Sequence, residues 1–414
     1  MNNKLYGNAV VGQSGGPTAA INATLSGVIG GALMAEEIDK VYGMRNGIEG
    51  FMDERFIELN EIFSEDGALD LLAQTPAAAL GSCRRKLPNP ESKEEKDVAF
   101  YKKLFSVIEK YNIRYFFYIG GNDSMDTVAK MTRYASAIGY DIRIIGVPKT
   151  IDNDLVMTDH TPGFGSAAKY IATTMQEIIR DCAVYTVKAV TIVEIMGRDA
   201  GWLTASAAIG RVVNGIAPDY VYLPERDFDD ERFYADIEKA FEKHPNVVIA
   251  VSEGLQYADG RYVGEGTQSG STDVFGHKYL AGTGKALELA VKAKFGCKVR
   301  SVEVNLPQRC AAHLLSETDI SESIRIGAGA VKAAVEGVSG EMMIFVRRDG
   351  DEYFCDVEHK SVLEIANATK CVFDEFINDE CNNVTDECCE YLLPLIEGEW
   401  NTKYEKGLPK HIIL

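Results

Sequence analysis

The fold is decided by residues 119–154, which read IGGNDSMDTVAKMTRYASAIGYDIRIIGVPKTIDND. The apolar run that leads into this stretch, residues 115–119, predicts a buried parallel strand. We expect Ser124 to cap a helix over residues 125–137, and a second strand to follow at residues 143–147. Ligands of open α/β sheets bind at the carboxyl ends of such strands, so the polar residues found there predict a ligand site.

These polar residues suit phosphate chemistry. Gly120 and Gly121 let backbone N–H groups approach a phosphate closely, and the start of a helix adds donors and partial positive charge. A lysine such as Lys149 can hold a phosphoryl group during its transfer, and an aspartate such as Asp152 can take a proton from an attacking hydroxyl. Plain solvated turns use the same residue types, and the residues alone leave that alternative open.

Length and composition limit the class of protein. The 414 residues suffice for two domains with sizeable cores, and the net charge of −19 argues against nucleic acid or an anionic membrane as a partner. A phosphorylated substrate of so acidic a chain requires a local cluster of Lys and Arg. The sequence contains no signal peptide, no apolar run long enough to span a bilayer, and no CxxC pair among its nine cysteines. We therefore expect a cytoplasmic protein with free thiols.

The segments GGNDS, starting at Gly120, and PKTIDND, starting at Pro148, resemble the paired signatures of the phosphofructokinase family. The resemblance covers roughly residues 5–345. In that family, glycine at the positions of Asp123 and Lys149 goes with ATP, whereas aspartate plus lysine goes with inorganic pyrophosphate. The two larger, charged side chains would fill space that the α-phosphate and nucleoside of ATP need.

The resemblance implies an α/β fold with two three-layer domains and mainly parallel sheets, and the residues beyond it are expected to form an acidic carboxyl-terminal extension. We expect a phosphoryl-donor domain at residues 1–150, a sugar-phosphate domain at 151–348 with some segments returning to the first domain, and the extension at 349–414. The sequence also predicts further strands at residues 8–11, 189–195, 247–251, 299–304 and 341–346, helices at 17–34, 163–179 and 319–336, and a glycine-spaced loop at 43–50.

The resemblance also implies roles for individual residues. Asp152 is expected to be the catalytic base, while Lys149 and Arg198 neutralise the moving charge. Mg²⁺ is assigned to Asn122 and Asp123, although most family members have an aspartate where this chain has Asn122, and a carboxamide is a poorer ligand for this cation. The phosphoryl donor is assigned to Gly15, Gly16, Arg84, Gly121, Asp123, Ser124 and Lys149.

The sugar phosphate is assigned to residues at strand ends, namely Thr150, Asp152, Asp154, Met196, Gly197, Arg198, Glu253, Arg300 and Arg309. Arg300 and Arg309 would hold the 6-phosphate of fructose 6-phosphate, although peripheral salt bridges are the alternative for both. The arginine that matches Arg300 often reaches across a subunit interface, so a homodimer or homotetramer is implied. Leu306 stands where the family usually has histidine or tyrosine, and Ala189 where ATP-type members have an arginine from the neighbouring subunit.

The expected reaction is phosphoryl transfer from pyrophosphate to the 1-hydroxyl of fructose 6-phosphate, which gives fructose 1,6-bisphosphate reversibly, as in glycolysis and gluconeogenesis. Two alternatives within enzymes are an ATP-dependent phosphofructokinase and another sugar-phosphate kinase. A third, from another class, is a non-catalytic regulatory subunit that binds sugar phosphates. Such a subunit could lose its base and lysine, so the presence of Lys149, Asp152 and Asp154 argues against it.

Overall fold

The structure is a computed structural model that describes residues 4–265, 282–350, 352–365 and 368–414. Residues 266–281 of the predicted second domain lie outside this description. The described strands are β1 (Gly7–Gln13), β2 (Ile38–Met44), β3 (Phe56–Glu58), β4 (Ile113–Gly120), β5 (Arg143–Pro148), β6 (Ala189–Ile195), β7 (Tyr220–Tyr222), β8 (Asn246–Ser252), β9 (Lys298–Glu303), β10 (Glu341–Arg347), β11 (Cys355–Ser361), β12 (Tyr404–Glu405) and β13 (Leu408–Pro409).

The described α-helices are α1 (Ile21–Met34), α2 (Gly47–Met52), α3 (Ala68–Gln74), α4 (Glu95–Lys110), α5 (Asn122–Ile138), α6 (Phe164–Cys182), α7 (Trp202–Ala205), α8 (Gly210–Asn214), α9 (Asp230–Phe241), α10 (Thr283–Phe295), α11 (Pro307–Cys310), α12 (Glu317–Val335) and α13 (Asp386–Leu392). No helix among the described residues is both long enough and apolar enough to cross a membrane.

The first sheet has seven strands in the order β11-β10-β5-β4-β1-β2-β3. Its inner strands are parallel, and β3 and β11 pair antiparallel at the two edges. In register, Gln13 lies opposite Ile119, and Gly120 lies opposite Pro148. The loops that follow β1, β4 and β5 therefore meet at one edge of the sheet, where ligand sites of such sheets form.

The second sheet has four parallel strands in the order β7-β8-β6-β9. Ile195 at the end of β6 lies opposite Ser252 at the end of β8, and Glu194 lies opposite Glu303 at the end of β9. The loops after these three strands are therefore neighbours too. This α/β architecture with mainly parallel sheets agrees with the fold that the sequence predicts.

Two local expectations are wrong. Gly121, not Ser124, is the N-cap of α5, and Ser124 is buried inside the first turn without a side-chain capping bond. One glycine is enough to turn the chain after β4, so the helix begins at Asn122 and not at residue 125. The predicted loop at residues 43–50 contains the last residues of β2 and most of α2, because the left-handed Asn46 (φ 57°) completes the turn between them.

Residues after 316 return to the first sheet. Helix α12 crosses α1 closely at two glycines, since a Cβ on Gly27 would lie 2.0 Å from the Ile324 carbonyl oxygen and one on Gly327 would lie 2.2 Å from that of Thr24. Strand β10 then pairs with β5. The residues expected as a separate extension also enter the second core, where Leu392 and its neighbours pack with Trp202. The residues after 349 thus add strand β11 to the first sheet and contribute side chains to the core around Trp202.

A buried charge network holds β10 against the loop that follows β5. Arg347 binds both carboxylate oxygens of Asp159 at 3.0 Å, and His160 bonds to Asp159 at 2.9 Å and to Glu322 at 2.7 Å. Burial opposes a charge on His160, but the Glu322 and Asp159 carboxylates raise its pKa well above the usual value. Both ring nitrogens of His160 thus have carboxylate partners, which makes this cluster a structural network and not a metal site.

Candidate active site

Two loops of the first sheet meet around Gly15. The N–H of Gly15 donates to the Cys83 carbonyl at 3.1 Å, and the Ser82 hydroxyl donates to the Gly15 carbonyl at 2.7 Å. Gly15 has φ +78°, a backbone conformation that favours glycine. The next residue, Gly16, follows the same turn, so a small open loop lies beside the start of α5, where backbone N–H groups can face an anion.

Lys149 closes this group of loops. Its backbone N–H donates to the Gly120 carbonyl at 3.0 Å, and its ammonium donates to the Gly16 carbonyl at 2.6 Å. The side chain is only 3% exposed. Burial lowers its pKa to about 8, while Asp152 and Asp154 oppose that shift. A lysine in this position presents a charge to the glycine loops and occupies the space directly behind them.

Two arginines lie beside the same loop. A Cβ on Gly16 would lie 3.3 Å from Nη1 of Arg309 and 3.8 Å from Nη2 of Arg84. Both guanidiniums also help to lower the pKa of Lys149, as neighbouring cations do. Lys149, Arg84 and Arg309 thus lie around Gly16. These three cations form the local positive cluster that a phosphorylated substrate of so acidic a chain requires. The resemblance assigns Arg309 to the sugar 6-phosphate. In this structure, however, its guanidinium lies beside Gly16, a residue that is assigned to the donor.

The loop after β5 presents two carboxylates. Asn153 between them has a left-handed φ of 54°, and the N–H of Asp152 donates to the Thr150 hydroxyl at 3.1 Å. Burial raises the pKa of Asp152 to about 7, and the neighbouring Asp154 carboxylate adds to that shift. Burial likewise raises the pKa of Asp154. A carboxylate with a pKa near neutrality is suited to accept and release a proton.

The second sheet contributes the loops that carry Met196–Arg198 and Glu253. The N–H of Gly197 donates to the Glu253 carboxylate at 3.4 Å, and Gly197 has φ +131°. Gly254 must be glycine, because a Cβ there would lie 2.0 Å from the Arg198 carbonyl oxygen. Burial, together with the nearby Asp152 carboxylate, raises the pKa of Glu253 to about 7. Loops from both sheets therefore meet in one site.

Asn122 and Asp123 offer oxygen ligands at the start of α5. The Oδ1 atom of Asn122 is buried and accepts no hydrogen bond from the described residues, while its Nδ2 donates to the Ala368 carbonyl at 3.2 Å. The Asp123 carboxylate is 45% exposed and lies 3.3 Å from the Lys86 ammonium. A buried acceptor without a donor next to an accessible carboxylate fits a hard cation such as Mg²⁺.

Arg300 lies apart from the other predicted site residues. It is exposed on β9 opposite Thr191, six residues before Gly197 at the site, which corresponds to roughly 20 Å along the strand. Its guanidinium lines a surface pocket with Asp181 and Tyr185. Arg300 therefore cannot complete the site of its own chain.

Sequence reasoning missed two residues that hold these loops. Gln308 is buried, and its Oε1 accepts a hydrogen bond from the N–H of Met196 at 3.2 Å. Lys370 bonds to the loop that carries Asp152 and Asp154. Each is a single polar residue in a segment without periodicity or glycine pattern, so the sequence offered no signal for either.

Known proteins are similar to this chain over most of its length. The family model described as Phosphofructokinase matches residues 8–332. A pyrophosphate–fructose 6-phosphate 1-phosphotransferase of Halomonas elongata is 40% identical over 97% of this chain and 95% of its own. A protein of the same name from Xanthomonas campestris is 40% identical over 99% of this chain and 96% of its own.

Among solved structures, the pyrophosphate-dependent phosphofructokinase of Nitrosospira multiformis superposes with a TM-score of 0.88 at 35% identity, covering 98% of this chain and 96% of that one. The similarity therefore extends beyond the loops of the site to nearly the whole fold. It includes the carboxyl-terminal residues, which contain no recognised motif.

Proposed function

The chain belongs to the phosphofructokinase family, and on that premise we propose that it transfers a phosphoryl group from inorganic pyrophosphate to the 1-hydroxyl of fructose 6-phosphate. The products are fructose 1,6-bisphosphate and phosphate, and the reaction is reversible. The observation that carries the proposal is the buried Lys149. Its ammonium donates to the Gly16 carbonyl and also lies near the Asp152 carboxylate. A small donor made of two phosphates suits a site in which a lysine already occupies this space.

In this proposal, residues 1–150 bind the donor and residues 151–348 bind the sugar phosphate. The Asp152 carboxylate takes the proton of the 1-hydroxyl as the oxygen attacks phosphorus. The bond between that phosphorus and the bridging oxygen of pyrophosphate breaks, and phosphate leaves with the electron pair. Burial suits Asp152 to this role because a carboxylate with a pKa of about 7 accepts a proton at neutral pH and returns it in the reverse direction.

The cations of the site stabilise the charge that develops during transfer. Lys149, Arg84 and Arg309 surround Gly16, and Arg198 lowers the pKa of both Asp152 and Glu253, so its charge lies near both carboxylates. Cations that are held in place around the reacting groups stabilise the charge of a transition state without having to reorganise during the reaction.

Mg²⁺ is the metal that the donor site would hold. Asn122 Oδ1 and the Asp123 carboxylate are the ligands on this chain, and the cation would neutralise the oxygens of bound pyrophosphate.

For the acceptor, the Glu253 carboxylate would accept hydrogen bonds from sugar hydroxyls, and Met196 and Gly197 would line the same side. Arg300 of the partner subunit would bind the 6-phosphate, which makes a homodimer or homotetramer the functional unit, whereas Arg309, whose guanidinium lies beside Gly16, would act on the donor side. The distance of Arg300 from the site of its own chain supports this arrangement.

A coupled assay with purified protein, fructose 6-phosphate and Mg²⁺ tests the proposal, with pyrophosphate and ATP offered separately. We expect turnover with pyrophosphate and little with ATP. Turnover with ATP alone would make the chain an ATP-dependent phosphofructokinase, and no turnover with either donor would favour a non-catalytic subunit. Sedoheptulose 7-phosphate as the acceptor measures how strictly the sugar is selected.

The donor preference has its own test in the double variant Asp123→Gly, Lys149→Gly. We expect a lower kcat/KM for pyrophosphate, since the variant loses a cation at the donor and opens the space behind the glycine loops. An unchanged ratio of pyrophosphate to ATP turnover would contradict the role of these two side chains.

A further inference from the structure

Residues 368–372 contact both halves of the proposed active site. On the donor side, the Ala368 carbonyl accepts a hydrogen bond from Nδ2 of Asn122 at 3.2 Å. On the acceptor side, the backbone N–H of Lys370 donates to the carbonyl of Asp154 at 2.8 Å. This short segment thus links the start of α5 to the loop that carries the catalytic base.

The same segment also holds the loop that follows Arg198. The indole N–H of Trp202 donates to the Lys370 carbonyl at 2.9 Å. The N–H of Val372 and the N–H of Gly201 each donate at 2.8 Å to one oxygen, Oε1 of Glu225. Residues 370–372 therefore hold a second loop of the site directly, through the bond to Trp202, and indirectly, through Glu225, which also binds Gly201.

The Lys370 ammonium makes the most specific of these contacts. It donates to Oδ1 of Asn153 at 3.1 Å, to the Thr158 carbonyl at 3.1 Å and to the Asp159 carbonyl at 2.7 Å. Three acceptors match the three N–H groups of an ammonium. All three follow Asp152 closely in the chain, and Asn153 is the residue whose left-handed conformation separates the two carboxylates.

From this geometry we propose that Lys370 is a positioning residue for phosphoryl transfer, which holds residues 153–159 in the conformation that directs the Asp152 carboxylate at the acceptor hydroxyl. The inference rests on the proposed function and assigns a role to a residue outside the recognised motifs. Lys370 acts through the loop, since its ammonium bonds to Asn153, Thr158 and Asp159.

A cation is needed at this point because the loop brings two buried carboxylates together. Asp154 lies near enough to Asp152 to raise its pKa, so the two repel each other when both are ionised. Burial raises the pKa of Asp154, and the charges of Lys149 and Lys370 both oppose that rise, so both lysines offset the repulsion. Without Lys370 the loop can relax away from the acceptor, and a misplacement of about 1 Å can cost about 10²-fold in rate.

The test compares Lys370→Met with Lys169→Met in the full-length protein. Lys169 is a matched control, because it is also a partly buried lysine whose ammonium donates to backbone carbonyls, those of Leu315 and Gly398, and it lies outside the site. Steady-state kcat, the KM for pyrophosphate and the Tm are measured for both variants and for the wild type. We expect Lys370→Met to lower kcat by about 10²-fold with little change in the KM for pyrophosphate, and Lys169→Met to keep the wild-type kcat.

Two results would overturn the role of Lys370. One is a folded Lys370→Met protein with wild-type kcat, and the other is an equal loss of kcat in Lys169→Met. If Lys370→Met does not fold, Lys370→Gln takes its place: its shorter, neutral amide has at most two donors for the three acceptors, so a loss of kcat is still expected and the same criteria apply. A wild-type protein without turnover would refute the proposed function and this inference with it, whereas an active wild type with an equally active Lys370 variant refutes this inference alone.

Discussion

Burial gives the central residues of this site their chemistry. Burial raises the pKa of Asp152 to about 7 and lowers the pKa of Lys149 to about 8. Both side chains therefore have pKa values close to neutral pH. An aspartate or a lysine on the surface would have neither property. At the scale of the single residue, the site is therefore defined by where two ordinary side chains lie.

Replacement of the base is the most direct test at this scale. We expect Asp152→Asn to bind fructose 6-phosphate normally and to lose about 10²–10⁴-fold in kcat, which is the usual contribution of a general base. Binding is measured by calorimetry and turnover by the coupled assay. An Asp152→Asn protein within tenfold of the wild-type kcat would remove this residue from the role.

The pH dependence follows from the same two pKa values. Asp152 must be ionised to accept a proton, so kcat/KM should rise as the pH passes about 7, the pKa of this carboxyl. Lys149 must be protonated to stabilise phosphate, so kcat/KM should fall as the pH passes about 8. The profile for the forward reaction is therefore a narrow bell. A plateau that extends to pH 10 would show that the charge of Lys149 is dispensable.

At the scale of the element, the sequence predicted strands better than helix starts. Buried parallel strands form continuous apolar runs, and the predicted strand at residues 189–195 agrees with β6 at both ends. The helix expected from residue 17 begins at Ile21, because residues 14–20 form the irregular loop in which Gly15 contacts Ser82 and Cys83. The motif residues of the site could be read from the sequence. Lys370 and Gln308 could not, because a contact between distant segments leaves no local pattern.

The crossing of α1 and α12 gives a prediction for an element. Gly27→Ala places a methyl group 2.0 Å from the Ile324 carbonyl oxygen, so the helices must separate, and we expect a loss of about 3 kcal/mol in stability. Gly30→Ala is the matched control in the same helix, because its Cβ would be no closer than 3.4 Å to the nearest side chain. There we expect a gain of up to about 1 kcal/mol from helix propensity. Urea unfolding measures both, and equal effects would contradict the close crossing.

At the scale of the whole molecule, the proposal that Arg300 serves a neighbouring subunit predicts active sites that are shared between subunits. Arg300→Ala and Asp152→Asn each disable a different part of the site, so each homodimer should be nearly inactive. After the two proteins are mixed, unfolded and refolded together, the mixed dimers contain one site with both residues intact. We expect about one quarter of the wild-type activity to return, as two-fold symmetry requires. If no activity returns although mixed dimers form, Arg300 does not serve the partner subunit.

The first sheet has a consequence for how this protein is made. Strand β10 pairs with β5, yet nearly two hundred residues and the whole second sheet lie between them in the chain. While the ribosome is still translating the second sheet, the exposed edge of β5 has no neighbour on that side. The donor half can reach its final form only after synthesis has passed β10, so early stop codons that spare every motif should still yield protein that chaperones retain or proteases remove.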